Sequence, residues 1–174
     1  MHIDRTEITN IAWKEFLYYN KNNYGEFSSD YLDNIPDTLI WAKAYPDGRF
    51  FGFLGKYENY TIVGVTKIQA LNYCRWRSKV VSQIKGFEVI YELPTTEDYE
   101  LIKTNAASKL IEGKTEYSKI RNNRIYGLCS NVSEISGDRN SVYGGEINNN
   151  NCTDFDTELP NHFTGFRCKA RIVK

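Results

Sequence analysis

The stretch Thr61–Arg77, TIVGVTKIQALNYCRWR, leaves this chain fewer choices than any other. Ile62, Val63 and Val65 make a short apolar run that reads as a buried strand, passing directly into a helical pattern. Thr66 and Gln69 stand in capping-box register: the hydroxyl accepts from an orphan backbone N–H and the amide reaches back to the cap. Within the helix Tyr73, Arg77 and Val80 recur at helical spacing, as do Ala70 and Cys74, giving one core-facing stripe. Strand, cap and helix in immediate succession fix a local frame on which the neighbouring segments must pack.

Upstream of that frame, residues 3–9 read as a strand (Ile3, Thr6, Ile8), and Thr9 or Asn10 caps a helix to about Asn20 that buries Trp13, Phe16 and Leu17. Residues 21–60 are loop-like, broken by Pro36, Pro46, Gly48, Gly52 and Gly55, and dense in aromatic residues. Either the loop presents a binding surface through Trp41, Tyr45, Phe50, Phe51 and Phe53, or these rings anchor it to the core. Downstream, Gly86 ends the central helix, Phe87, Val89 and Tyr91 alternate as a strand, and Thr95 caps a third helix with Asp98 in capping-box register. Residues 105–124 are polar and read as a solvated loop. From Ile125 short strands and turns follow, and a last strand (Phe166, Cys168, Ala170, Ile172) is expected beside the N-terminal one.

The 174 residues suit one domain, 1–174, with a sizeable core. Lys and Arg (22) balance Asp and Glu (22), so no global field favours nucleic acid or an anionic membrane. No apolar run approaches the roughly 20 residues needed to span a bilayer. The start, MHIDRTEITN, carries Asp4 and Glu7 without an apolar signal core, so the expected location is cytoplasmic; a leader removed upstream would make it periplasmic or secreted. The sequence leaves the oligomeric state open.

The central stretch, with Val65-Thr66, Ala70, Tyr73-Cys74 and Trp76, resembles a signature of the formylglycine-generating-enzyme (sulfatase-modifying factor) family. Further stretches are similar to that family in the same order: Glu7-Ile8-Thr9-Asn10, Leu93-Pro94-Thr95-Thr96, Tyr126-Gly127-Leu128 with Asn131-Val132-Ser133-Glu134, Gly144-Gly145, and Gly165-Phe166-Arg167-Cys168. Asp37–Trp41 and the segment after it resemble the gliding-motility lipoprotein branch. The resemblance implies an α+β, C-type-lectin-like domain: small antiparallel sheets, two or three helices and much irregular loop. The chain departs from the family at Glu92, Tyr99, Ser130, Ser133 and Ile135, where Arg, Trp, Gly, Trp and Trp are usual.

The family's oxidases hold copper through two thiolates spaced C-x4-C, and soft thiolates suit Cu(I). Here Cys152 is alone in that window, and only twelve residues, Thr153 to Thr164, separate it from Gly165. One thiolate cannot make a two-sulfur site, so copper and the oxidase activity are expected to be lost, with Cys152 a weak catalytic candidate. The resemblance also implies a disulfide between Cys74 and Cys168; two adjacent buried thiols are the alternative. It offers Asn131 and Glu134 as ligands of a structural calcium ion, with Asp138 as an added carboxylate; the alternative has them bonding the turn's own backbone. His2 and His162 lack metal-ligand spacing. The expectation is a catalytically inactive module that binds a protein or glycan partner through its loops. The alternatives are a copper- or thiol-dependent oxidase converting a substrate cysteine to formylglycine, and a structural subunit of an envelope or secretion assembly.

Overall fold

The computed structural model describes residues 2–40, 57–106, 125–128, 131–138, 141–144, 154–156 and 162–173. In chain order the elements are β1 (His2–Ile3), α1 (Asn10–Tyr24), α2 (Ser29–Leu32), α3 (Lys67–Lys85), β2 (Val89–Glu92), α4 (Thr96–Ala106), β3 (Ser133–Ile135), β4 (Ser141–Tyr143), β5 (Asp154–Asp156), β6 (Thr164–Gly165) and β7 (Lys169–Ile172). This is an α+β arrangement with two small sheets. One is antiparallel with order β1-β7-β2, so the terminal strands are neighbours as expected; the other has order β5-β4-β3-β6. The expectation of purely antiparallel sheets needs correction, because β3 and β6 run parallel.

α3 starts as its sequence dictates. The Thr66 hydroxyl accepts from Gln69 N–H at 3.1 Å, Gln69 Oε1 accepts from Thr66 N–H at 2.8 Å, and Gly86 closes the helix in the left-handed region at φ 73°. Thr95 and Asp98 repeat the device before α4: Asp98 N–H reaches Thr95 Oγ1 at 3.2 Å and Thr95 N–H reaches Asp98 Oδ2 at 2.8 Å. α3 also covers an edge. Ser78 Oγ accepts from Tyr91 N–H at 2.8 Å and Ser82 Oγ accepts from Val89 N–H at 2.9 Å. The outer rim of β2 thereby gains partners that a sheet edge would otherwise lack.

Around this helix the core is aromatic. Trp13 stacks on Tyr73 at 5.5 Å, and Phe166 meets both rings edge-on at 5.9 and 5.5 Å. Ile62, Val65 and Ala70 are fully buried beside them, with Cys74 and Cys168 in the same cluster.

Several boundaries differ from the reading of the sequence. The N-terminal strand is two residues, not seven, because the Asp4 carboxylate takes up the Cys168 N–H and Glu7 turns inward and is buried. Ile62–Val65 is a buried extended segment rather than a ladder strand. Its backbone bonds include Ile62 N–H on Ile8 O and Asp37 N–H on Gly64 O, with a Thr9–Thr61 bridge just before it, and Gly64 at φ 72° turns the backbone away. α1 runs on to Tyr24, and α2, capped by the Ser28 hydroxyl, falls where only loop was expected. Phe87 lies outside β2. No described helix is long and apolar enough to cross a membrane.

Candidate functional site

Two buried centres join the sequence motifs to one another, and one open groove lies beside them. The first centre is Arg167, wholly buried just before β7. Its Nε and Nη2 donate to the two oxygens of Glu134 on β3, each at 2.6 Å, and Nη2 also reaches Tyr126 O at 2.8 Å. Tyr99 of α4 donates to Glu134 at 3.1 Å. Glu7 stands 4.0 Å from the same guanidinium and accepts from Asn131 Nδ2 at 3.0 Å, while that amide also reaches Thr61 Oγ1 at 3.0 Å. Gly127 has φ 72°, and a Cβ there would overlap the Glu7 carboxylate, so both backbone and space require glycine. Two buried carboxylates thus face one guanidinium. Burial, opposed by Arg167 and reinforced by Glu7, pushes Glu134 up to about 7. With no open face, the cluster is a clamp joining the N-terminal segment, α4, β3 and the approach to β7.

The resemblance offers Asn131 and Glu134 to calcium, and the structure brings both into this cluster. The fit is poor: Glu134 gives both oxygens to Arg167, whose charge repels a second cation at that carboxylate, and Asn131 turns its amide N–H to Glu7 and Thr61. Asp138 is engaged elsewhere, accepting from the Thr96 N–H at 3.1 Å and from the Ser136 hydroxyl.

The second centre is Cys74 and Cys168, buried thiols whose sulfurs lie 3.5 Å apart. Burial pushes the Cys168 thiol well up, and its neighbour Cys74 adds to that, so the thiol form dominates at neutral pH. Buried with sulfurs 3.5 Å apart, the two side chains are placed for cross-linking. Asp4 and Arg77 lie next to it, bonded at 3.0 Å, with the guanidinium 4.2 Å from the centre of the Tyr91 ring.

The groove opens between α1, the α2 turn and α3, with a volume of about 370 Å3. Phe16, Tyr19 and Tyr24 line it from α1, and Asn72, Arg75, Trp76 and Lys79 from α3. Hydrogen bonds run along its floor. Arg75 donates to Asn72 at 3.0 Å, Asn72 to Asn34 at 3.1 Å, and Asn34 to Asp30 O at 2.7 Å, where Asn20 also donates at 2.8 Å. Gln69 pins the same turn to α3 through Asp33 O at 2.8 Å and Ile35 O at 3.0 Å. Polar groups fixed in this way are organised before any ligand arrives.

Of the surface residues expected from the sequence, Trp41, Tyr45, Phe50, Phe51 and Phe53 lie outside the described residues, as does Cys152. The sequence reading missed the groove, although a signal was present. Asn72, Arg75, Trp76 and Lys79 fall at i, i+3, i+4 and i+7, a second stripe on α3, and Phe16, Asn20 and Tyr24 repeat at four-residue spacing on α1. Among the described residues no three His, Cys, Asp or Glu side chains group closely enough to hold a metal ion.

Fold and sites define an α+β domain with a sealed ion-pair centre and a lined surface groove. No family model, curated protein or solved structure matches the chain.

Proposed function

We propose that this chain is a catalytically inactive module of the sulfatase-modifying-factor, C-type-lectin-like type that binds a protein or glycan partner. The observation that carries the binding half is the groove: a concavity of about 370 Å3, lined by aromatic rings and by amides held in fixed hydrogen bonds. Its size falls within the ~300–1,000 Å3 of ordinary small-ligand sites. What supports the family half is that the quoted motif residues do joint structural work: Glu7, Asn131, Glu134 and Arg167 belong to one cluster, and Cys74 touches Cys168. The inactive half rests on the single cysteine, Cys152, where the oxidases carry two.

Supplying the chain with copper, oxygen, reductant and cysteine-containing peptides, followed by aldehyde-specific labelling, tests this reading. The expected result is no aldehyde above a heat-denatured control. Aldehyde that disappears in Cys152→Ser would restore the oxidase.

A further inference from the structure

We infer that the groove between α1, the α2 turn and α3 is a site for an uncharged saccharide, on the scale of one or two pyranose rings. The inference rests on the binding reading above and narrows it to a class of ligand.

Charge removes the ionic candidates first. Asp30 and Asp33 oppose Arg75 and Lys79 along the lining, so the groove has no net sign to gather an anion or a cation. An anion approaching Arg75 meets two carboxylates in the same groove. A cation at the rings meets the charge of Lys79, whose ammonium already lies 5.7 Å from the Tyr19 ring centre and 6.0 Å from that of Tyr24.

The floor then excludes a purely apolar ligand. Covering Asn34, Asn72 and Arg75 with hydrocarbon would desolvate polar groups and return nothing to them. The groups that remain are flat rings beside amides and carboxylates that together donate and accept. A pyranose is complementary to that set: one face carries C–H groups that stack on an aromatic ring, and its rim carries hydroxyls that both donate and accept. Tyr24 is 46% exposed at the end of α1, so a ring face there is open to such stacking. Trp76, packed on Phe16 at 5.4 Å and Tyr73 at 5.2 Å, supplies a rigid wall that loses little entropy on binding. The volume of about 370 Å3 sets the upper size.

Saturation-transfer NMR on the full chain tests the site, using D-glucose, D-galactose, D-mannose, N-acetyl-D-glucosamine and cellobiose at millimolar concentration, with a mixed tetrapeptide pool as the second arm. Tyr24→Ala and Asn72→Ala sit at exposed and half-buried positions, and circular dichroism checks that each variant folds. The expected result is saturation of the ring protons of at least one sugar, with affinity lowered about tenfold in each variant, the scale of one lost ring contact or hydrogen bond. Sugar signals unchanged in both variants overturn the site. Peptide signals that are sensitive to the variants, without any sugar signal, overturn the saccharide class and leave the binding module standing. Silence in both arms overturns both.

Discussion

Arg167 has more depending on it than any other side chain described. Its guanidinium is the only cation facing Glu7 and Glu134 among the described ion pairs, and removing one partner of such a buried set costs about 3–5 kcal/mol, because a charge is left unpaired in low dielectric. Arg167→Met is therefore expected to lose most of the chain's stability in urea denaturation. The same cluster sets a pH dependence. Glu134 is raised from its ordinary 4.5 to about 7, so the folded state holds a proton that the unfolded chain releases. That contribution is complete below about 4.5 and is lost as pH rises through 7. Asp98 works the other way. Burial raises it, but the Lys169 ammonium at 2.6 Å and the bonds to Thr95 outweigh that and hold it low, so its contribution is lost as pH falls below the ordinary 3.8. Thermal midpoints should peak near pH 4 to 5, above the Asp98 loss, and fall between about pH 4.5 and 7. In Glu134→Gln the fall between about pH 4.5 and 7 should flatten; a slope unchanged in that variant would assign the titration elsewhere.

At the scale of elements, local chemistry and tertiary context divided the work. Both capping boxes, at Thr66–Gln69 and Thr95–Asp98, were legible because the bonds they make span only three residues. Thr66→Ala should cost about 1 kcal/mol, read as a lowered denaturation midpoint with an unchanged slope. Ile62–Val65 was legible as buried but not as unladdered, since its backbone bonds go to Ile8 and Asp37, decided far along the chain. The α2 turn escaped because its four residues carry no period, and its amide partners, Asn20, Gln69 and Asn72, come from two other helices. Neither Arg167 nor Glu7 announces its burial in composition, since charged residues are rarely fully buried and only the fold supplies their partners. The Cys74–Cys168 contact joins α3 to the approach to β7 across 94 residues of chain. Oxidising that pair should stabilise the domain by about 3–5 kcal/mol, seen as a higher melting temperature that dithiothreitol reverses and that Cys74→Ser abolishes.

For the whole molecule, the last strand sits between the first and β2, so the two ends of the chain close one sheet over the aromatic core. Deleting residues 169–174 removes the central strand of that sheet and should abolish cooperative unfolding, whereas a scaffold held by its helices alone would keep a sigmoidal transition. On this closed frame the groove between α1 and α3 is free to vary in chemistry without disturbing the clamp at Arg167, since the two share no residue. The function proposed for this scaffold is to bind and not to oxidise. Titrating the full chain with Cu(I) against a competing chelator while counting free thiols tests it most directly. The expected result is no tight equivalent dependent on Cys152. One equivalent that removes two thiols and vanishes in Cys152→Ser would contradict it.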